Sequence, residues 1–394
     1  MNSTSRKLGM GLVGPGFVAA HHIDAVRRLG NVEVIAIAGS SQASAERKAR
    51  ELNVPKAYGS YEELLADPAI DVIHNTTPNH LHFPVSMAAL NAGKHVISDK
   101  PLAFNREECT QLAAAAKSTG LGNVVTFNYR GNPLVEQARL MIANGAIGRT
   151  SFIHGCYLQD WMADPNVYSW RSDPAKGGVS SALADIGSHW CDLAMHLAGL
   201  KITAVLGDLA TLIETRYAPE ASDGAVSVEA FKQSAAAERR PVRVTGEDLA
   251  TVLLRFENGV KGSLIAGQVL PGHKNDLRIE INGSDASLRW LQEHQNELWI
   301  GHHREPNQVL VKDPSLMLPG AASYAHLPGG HQEGWPDAFR NVIADAYKWI
   351  AAGADPASKP PTICTFADAR RVFITIEAML QSHAKGGVWT EVAD

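Results

Sequence analysis

Leu8-Gly9-Met10-Gly11-Leu12-Val13-Gly14-Pro15-Gly16-Phe17-Val18-Ala19-Ala20 is the stretch on which the fold turns. Leu8 to Val13 reads as a short apolar strand, Gly14 and Gly16 as a tight turn, and Phe17 to Arg28 as a helix. A side chain at either glycine would hold the backbone away from an anion. The helix behind the turn aims its unpaired N–H groups and the positive end of its dipole at the same place. The spacing G-x-G-x-x-A, with the small Ala19 third, is that of a dinucleotide-binding turn. Gly14, Pro15, Gly16, Phe17 and Val18 are therefore the first candidate cofactor contacts. Taken alone, a plain glycine-rich connection reads the same way. The weight comes from the motif's position at the first strand–helix junction.

Outward from the turn, apolar runs at Val32 to Ala38, Val72 to Thr76, His95 to Ser98 and Val124 to Phe127 alternate with helical periods. The helices are expected over Ala43 to Leu52, Tyr61 to Leu65, Leu81 to Asn91 and Glu107 to Lys117. Strand–helix alternation at this spacing predicts βαβ crossovers and a parallel, doubly wound sheet, an α/β Rossmann fold. Such folds declare their cofactor at the end of the second strand, where a carboxylate would bind the ribose 2′-OH of NAD. That strand ends here in Gly39-Ser40-Ser41, without an acid, and Arg47 and Lys48 follow in the next helix. Ser40, Ser41 and Arg47 are candidate contacts, with a slight lean to NADP over NAD; a solvated helix face explains Arg47 and Lys48 equally well.

Beyond Phe127 the texture changes. One more helix, Pro133 to Asn144, leads into strands of alternating hydrophobicity from Thr150 to Ile300, with a covering helix over Ile186 to Leu197. This predicts a large, open, mostly antiparallel sheet. Helices over Trp335 to Ala352 and Phe366 to Ala384 close the chain, and Glu214 to Gly246 reads as a long aperiodic insertion. The expected domains are 1–128, binding dinucleotide, and 129–394, binding substrate and making oligomer contacts. The 394 residues allow two such cores. With 45% apolar and 20% charged residues and a net charge of −5, nothing favours nucleic acid or an anionic membrane. No apolar run is long enough to span a bilayer, and the basic leader lacks the apolar core of a signal peptide. Cys109, Cys156, Cys191 and Cys364 form no C-x-x-C pair, which fits a reducing cytoplasm and argues against structural zinc.

Two places carry chemistry. Lys100, in Ser98-Asp99-Lys100-Pro101, leaves the carboxyl end of a parallel strand, where ligands of open sheets bind. Its ammonium suits a substrate hydroxyl and a developing alkoxide; a surface lysine after a strand is the plain alternative. Pro101 invites a cis peptide. In Asp185-Ile186-Gly187-Ser188-His189, a carboxylate and an imidazole four apart share a helix face, an arrangement suited to proton transfer. At the first helical turn the dipole would keep His189 neutral and basic. A capping Asp185 and a satisfied core His189 are the bland readings. Asp192, His196 and Cys191 lie nearby, but not at zinc-site spacing, so no metal is expected.

These pieces, with Thr77-Pro78-Asn79-His80-Leu81-His82, Ala92-Gly93-Lys94-His95-Val96, Asp99-Lys100-Pro101, Asp185-x-Gly187-x-His189-x-x-Asp192 and Gly329-Gly330-His331, resemble the Gfo/Idh/MocA family over essentially the whole chain. Asp99 replaces the family's usual Glu, and Ala19 its third glycine. The resemblance implies reversible oxidation of a sugar, glycoside or cyclitol hydroxyl by NAD(P), and homodimers or homotetramers through the C-terminal sheet. It implies that Lys100, Asp185 and His189 form the catalytic trio, with His189 as base. It also places Thr76, Thr77, Pro78, Asn79, His82 and Asp99 near the ribose and nicotinamide. Around the trio, Asn128, Arg130, Trp161, Tyr168, Trp170 and Arg171 offer aromatic faces and donors for a carbohydrate; core packing explains Trp161 and Trp170 as well. Some relatives cleave glycosides by transient oxidation, and others are non-catalytic regulators. Net release of reduced cofactor separates the first case from a dehydrogenase, and absence of any turnover marks the second.

Overall fold

The parallel sheet runs in the order β3-β2-β1-β4-β5-β6 in a computed structural model that describes residues 6–169, 172–173, 177–219 and 238–394. Its strands are β1 (Leu8–Val13), β2 (Val32–Ala38), β3 (Lys56–Tyr58), β4 (Val72–Asn75), β5 (His95–Ser98) and β6 (Asn123–Val125). All five pairings are parallel. The order reverses between β1 and β4, which opens a crevice at the carboxyl ends of these two strands. Helix α1 (Ala19–Leu29) buries Ala19, Ile23, Ala25 and Val26 and stops at Gly30 in the left-handed conformation. Helices α2 (Gln42–Glu51), α3 (Tyr61–Leu65) and α5 (Arg106–Thr119) start on the capping side chains of Ser41, Ser60 and Asn105; α4 (His82–Asn91) lies between the last two. The short β3 was not anticipated from sequence; three residues carry too little periodicity to read.

The chain forms two compact units, Met1–Asn128 with Pro336–Arg370, and Tyr129–Trp335 with Arg371–Asp394. The first cut falls after residue 128, and a late segment returns to the first unit. On that return, the Tyr347 hydroxyl lies 2.9 Å from His74 Nε2 on β4. His74 Nδ1 in turn lies 2.8 Å from His22 Nδ1 on α1, and Phe339 packs edge-on against His22. Val125 on β6 donates to the Cys364 carbonyl, and the Asn123 side chain accepts from the Phe366 amide. Buried histidines and an unpaired sheet edge both need cover, and this segment supplies it.

The second unit is built on a nine-stranded sheet of order β16-β15-β14-β13-β7-β12-β11-β8-β17. Its strands are β7 (Thr150–Leu158), β8 (Ile202–Ala210), β11 (Leu249–Phe256), β12 (Lys261–Gly267), β13 (Asp276–Gly283), β14 (Ala286–Leu291), β15 (Glu297–His302), β16 (Gln308–Val311) and β17 (Thr390–Glu391). Only the β7–β12 pairing is parallel. Alternation is clean on β11: Ala250, Val252, Leu254 and Phe256 are buried, and Thr251, Leu253 and Arg255 face out. Helix α6 (Pro133–Ala143) precedes the sheet, and helix α7 (Ser188–Ala198) lies on its covered face. There the fully buried Trp190 donates from Nε1 to the Arg278 carbonyl of β13. The supposed aperiodic insertion has ordered arms: β9 (Thr215–Pro219) and β10 (Arg239–Arg243) pair antiparallel, and residues 220–237 lie outside the description. Among the described residues no helix is long and apolar enough to cross a membrane.

Candidate active site

In the first unit, everything converges on the β1–β4 crevice. Gly14 has φ +85°, and a Cβ there would sit 2.7 Å from Thr77 N and Cα, so both backbone angle and packing demand glycine. Thr76 Oγ1 donates to the carbonyls of Val13 and Gly14, which locks the β4 exit to the glycine turn. Gly16 differs: among the described residues, its own chain neighbours aside, no atom lies within 4 Å of where its Cβ would be, and its φ is not left-handed. Gly16 thus leaves room for an anion to approach the backbone. α1 begins without the side-chain cap found on α2, α3 and α5, and without an acidic residue in its first turn. Bare helix N–H groups beside an open glycine fit a pyrophosphate.

At the end of β2, Ser41 accepts from the Ser44 amide as the α2 cap, while Ser40 is exposed. Arg47 and Lys48 are both engaged by Glu51, at 3.8 and 2.7 Å, on an exposed helix face. The solvated-face reading of these two bases is the one the geometry matches.

His82 sits elsewhere than a direct cofactor contact would require. It is buried, with Nδ1 2.5 Å from the Pro101 carbonyl and Nε2 2.8 Å from the Thr77 carbonyl. Burial depresses its basicity, against the pull of both carbonyls and of Asp99. The ring thus ties the Thr76-Thr77 exit to the turn that carries Lys100. In that turn the Lys100–Pro101 peptide is cis, and Asp99 Oδ1 accepts from the Lys100 amide and Thr126 Oγ1. Pro78 and Asn79 begin the short helical turn before α4, and Lys100 is half-buried. Asn128 is buried, and its Nδ2 has no hydrogen-bond partner among the described residues, which suits a donor awaiting a ligand.

In the second unit, the helix carrying Asp185 starts earlier than expected. A π-helical turn, Leu183–Gly187, runs straight into α7. His189 is therefore in the second turn, and the dipole argument for its neutrality no longer applies. The wide turn keeps Asp185 and His189 on one face: both are half-exposed, while Ile186, Gly187, Ser188 and Trp190 between and beside them are buried. Such turns recur at functional sites because they aim a side chain that a regular helix would not. Gln268, directly after β12, donates from Nε2 to Asp185 Oδ2 at 2.7 Å.

Two phenols wall the imidazole. The Tyr129 ring stands edge-on to His189 at 5.3 Å, and the Tyr157 ring at 6.3 Å. The phenols contact each other at 2.7 Å; Tyr157 donates to Asn275 Oδ1, and Asn275 Nδ2 returns a bond to Tyr129. Burial, with the Asp185 charge adding, pushes both phenol pKa values up, so both stay neutral. Gln159 donates to Asn275 and accepts from Trp161 Nε1, which extends the polar wall. Tyr168 is half-buried, and burial raises its pKa.

The Arg130 guanidinium makes a buried bidentate pair with Asp192, Nε to Oδ2 at 2.8 Å and Nη2 to Oδ1 at 2.5 Å. That fork ties the segment before α6 to α7, so Arg130 acts as a clamp through two of its donors. Arg171 and Trp170 lie outside the described residues. Sequence reading missed Gln268 and Asn275, which are lone polar residues at strand ends with no motif spacing. Only the fold brings them to Asp185 and Tyr157.

A family model described as "Oxidoreductase family, NAD-binding Rossmann fold" matches residues 8–128, and one described as "GFO/IDH/MocA C-terminal domain" matches residues 135–289. Levoglucosan dehydrogenase of Pseudarthrobacter phenanthrenivorans is 32% identical over 405 residues, covering 98% of this chain and 98% of that protein. A solved structure of levoglucosan dehydrogenase in complex with NADH and L-sorbose matches with a TM-score of 0.86 at 29% identity, over 99% of this chain and 100% of that one. An inositol dehydrogenase homolog from Azotobacter vinelandii, complexed with NAD+, matches with a TM-score of 0.84 at 25% identity, over 99% and 98%.

Proposed function

The chain belongs to the Gfo/Idh/MocA family of oxidoreductases, and on that premise we propose that it is an NAD-dependent dehydrogenase of a cyclic sugar, anhydrosugar, glycoside or cyclitol hydroxyl. The observation that carries this reading is the Asp185–His189 pair, presented half-exposed from a π-turn and walled by neutral phenols. Likeness to levoglucosan dehydrogenase along 98% of both chains supports a pyranose-like substrate.

NAD, when bound, supplies the hydride-accepting nicotinamide. The turn Gly14 to Val18 would hold the pyrophosphate, and Ser40 and Ser41 would hold the adenosine ribose. Thr76 to Asn79, with Asp99, would hold the nicotinamide ribose end. His189 accepts the proton of the substrate hydroxyl as general base. Lys100 donates to the same oxygen and favours the developing alkoxide. Asp185, fixed by Gln268, orients the imidazole and a neighbouring substrate hydroxyl. Trp161 and Tyr168 give the sugar's C–H face an aromatic surface, and Asn128 offers a donor.

The NAD-binding Rossmann family model and the NADH-bound levoglucosan dehydrogenase structure support NAD as the cofactor, while Arg47 and Lys48 keep the lean to NADP open to the comparison of both cofactors below. We assign the enzyme to the cytoplasm, which its four free, buried cysteines favour. Oligomers would form through the outward face of the nine-stranded sheet. The deciding experiment follows reduced nicotinamide across levoglucosan, free sugars, glycosides and inositols with both cofactors. Stoichiometric reduction with NAD is expected. Dinucleotide binding with no turnover, or glycoside cleavage without net reduction, would reject the proposal.

A further inference from the structure

The four N–H groups that open a helix need partners from outside it. Ahead of the π-turn, three of the four go to one residue. Glu247 Oε1 accepts from the Ser181 amide at 3.0 Å and the Leu183 amide at 2.9 Å, and the Glu247 carbonyl accepts from the Ala182 amide at 3.0 Å. The fourth, Ala184 N–H, goes to Ser180 Oγ, which itself donates to Glu247 Oε1 at 2.7 Å. Glu247 is buried and belongs to a different element, the entry to β11. The same edge reaches Asp185: Gln268, which binds Asp185 Oδ2, is held through its own amide by the Asp248 carbonyl at 3.0 Å. One dipeptide, Glu247-Asp248, therefore grips the helix at its origin and fixes the side chain that touches Asp185.

We propose that Glu247 is a positioning residue for the reaction: it sets where the helix begins, and so where the π-turn delivers Asp185 and His189. The inference rests on the reading of Asp185 and His189 as catalytic residues. A carboxylate also suits the positive end of the helix; burial raises the Glu247 pKa, and the donors of Ser180, Leu183 and Ser181 pull it back down. A one-ångström misplacement of a reacting group is enough to cost on the order of 10²-fold in rate.

The test compares Glu247→Ala, Glu247→Gln, Asp185→Asn and His189→Ala in the full-length enzyme, with levoglucosan and the other polyols as substrates. Glu247→Ala is expected to lower kcat on the order of 10²-fold while NADH affinity, read by fluorescence titration, changes by less than about twofold. Glu247→Gln keeps an acceptor oxygen and should restore kcat to within about tenfold of wild type. It also serves if the alanine variant does not fold. Amide hydrogen exchange of peptides spanning 180–188 should quicken in Glu247→Ala, a readout that needs no turnover. The proposal falls if Glu247→Ala keeps its kcat or if exchange is unchanged. If Asp185→Asn and His189→Ala are themselves fully active, the catalytic assignment fails instead, and the two failures are told apart.

Discussion

Gly14 and Gly16 share one turn and answer to different demands. Gly14 is required by the protein: its left-handed φ and the Thr77 backbone exclude a side chain. Gly14→Ala should lower stability by about 2–4 kcal/mol, from backbone strain plus overpacking, and thermal denaturation will show it. Gly16 has open space around it, so its test is ligand binding. Gly16→Ala should leave stability within about 0.5 kcal/mol of wild type and weaken NAD binding at least about tenfold. Unchanged NAD affinity would remove the turn from the pyrophosphate site. His189→Ala and Lys100→Ala should each lower kcat by about 10²–10⁴-fold with NAD still bound, and near-normal turnover in either would strip it of its role. These residues were legible because motif spacing is local. Gln268 and Glu247 were not, because their partners are 83 and 64 or more residues away. The pairing of Arg130 was hidden for the same reason: its acceptor, Asp192, lies 62 residues on.

Among elements, strongly periodic ones were readable almost to the residue: β1, β2, α3 and β5 fall where hydrophobic spacing puts them. The π-turn was not readable, since Leu183–Gly187 has no composition of its own and its start is set by Glu247. The arms of the 215–243 hairpin were hidden by their brevity and by Pro219 and Pro241. α1 carries a prediction at this scale, because it is joined to β4 through His22 and His74. Burial pushes the His22 pKa down to about 4 and that of His74 well below its ordinary 6.5. The unfolded chain takes up these protons near pH 6.5 and the folded chain does not, so their contribution is full above pH 6.5. It is lost as pH falls toward 4. For His22 alone the loss amounts to roughly 3 kcal/mol. Urea midpoints between pH 7 and pH 4.5 should fall accordingly, and His22→Asn should flatten the slope. An equal slope in the variant would assign the acid sensitivity to other groups.

For the whole molecule, the outward face of the nine-stranded sheet shows Phe152, Leu253 and Ile265 exposed by 38%, 48% and 43%. If copies associate there, Leu253→Lys with Ile265→Lys should convert the oligomer to monomer in light scattering; an unchanged mass would place the contact elsewhere. The return of residues 336–370 to the first unit bears on how the protein is made. The amino-terminal lobe emerges first from the ribosome, yet β6 and the His22–His74 pair stay uncovered until Cys364 and Tyr347 are synthesised. Nascent chains halted before that point should cling to chaperones, and a fragment ending at residue 128 should precipitate where one fused to 336–370 stays in solution.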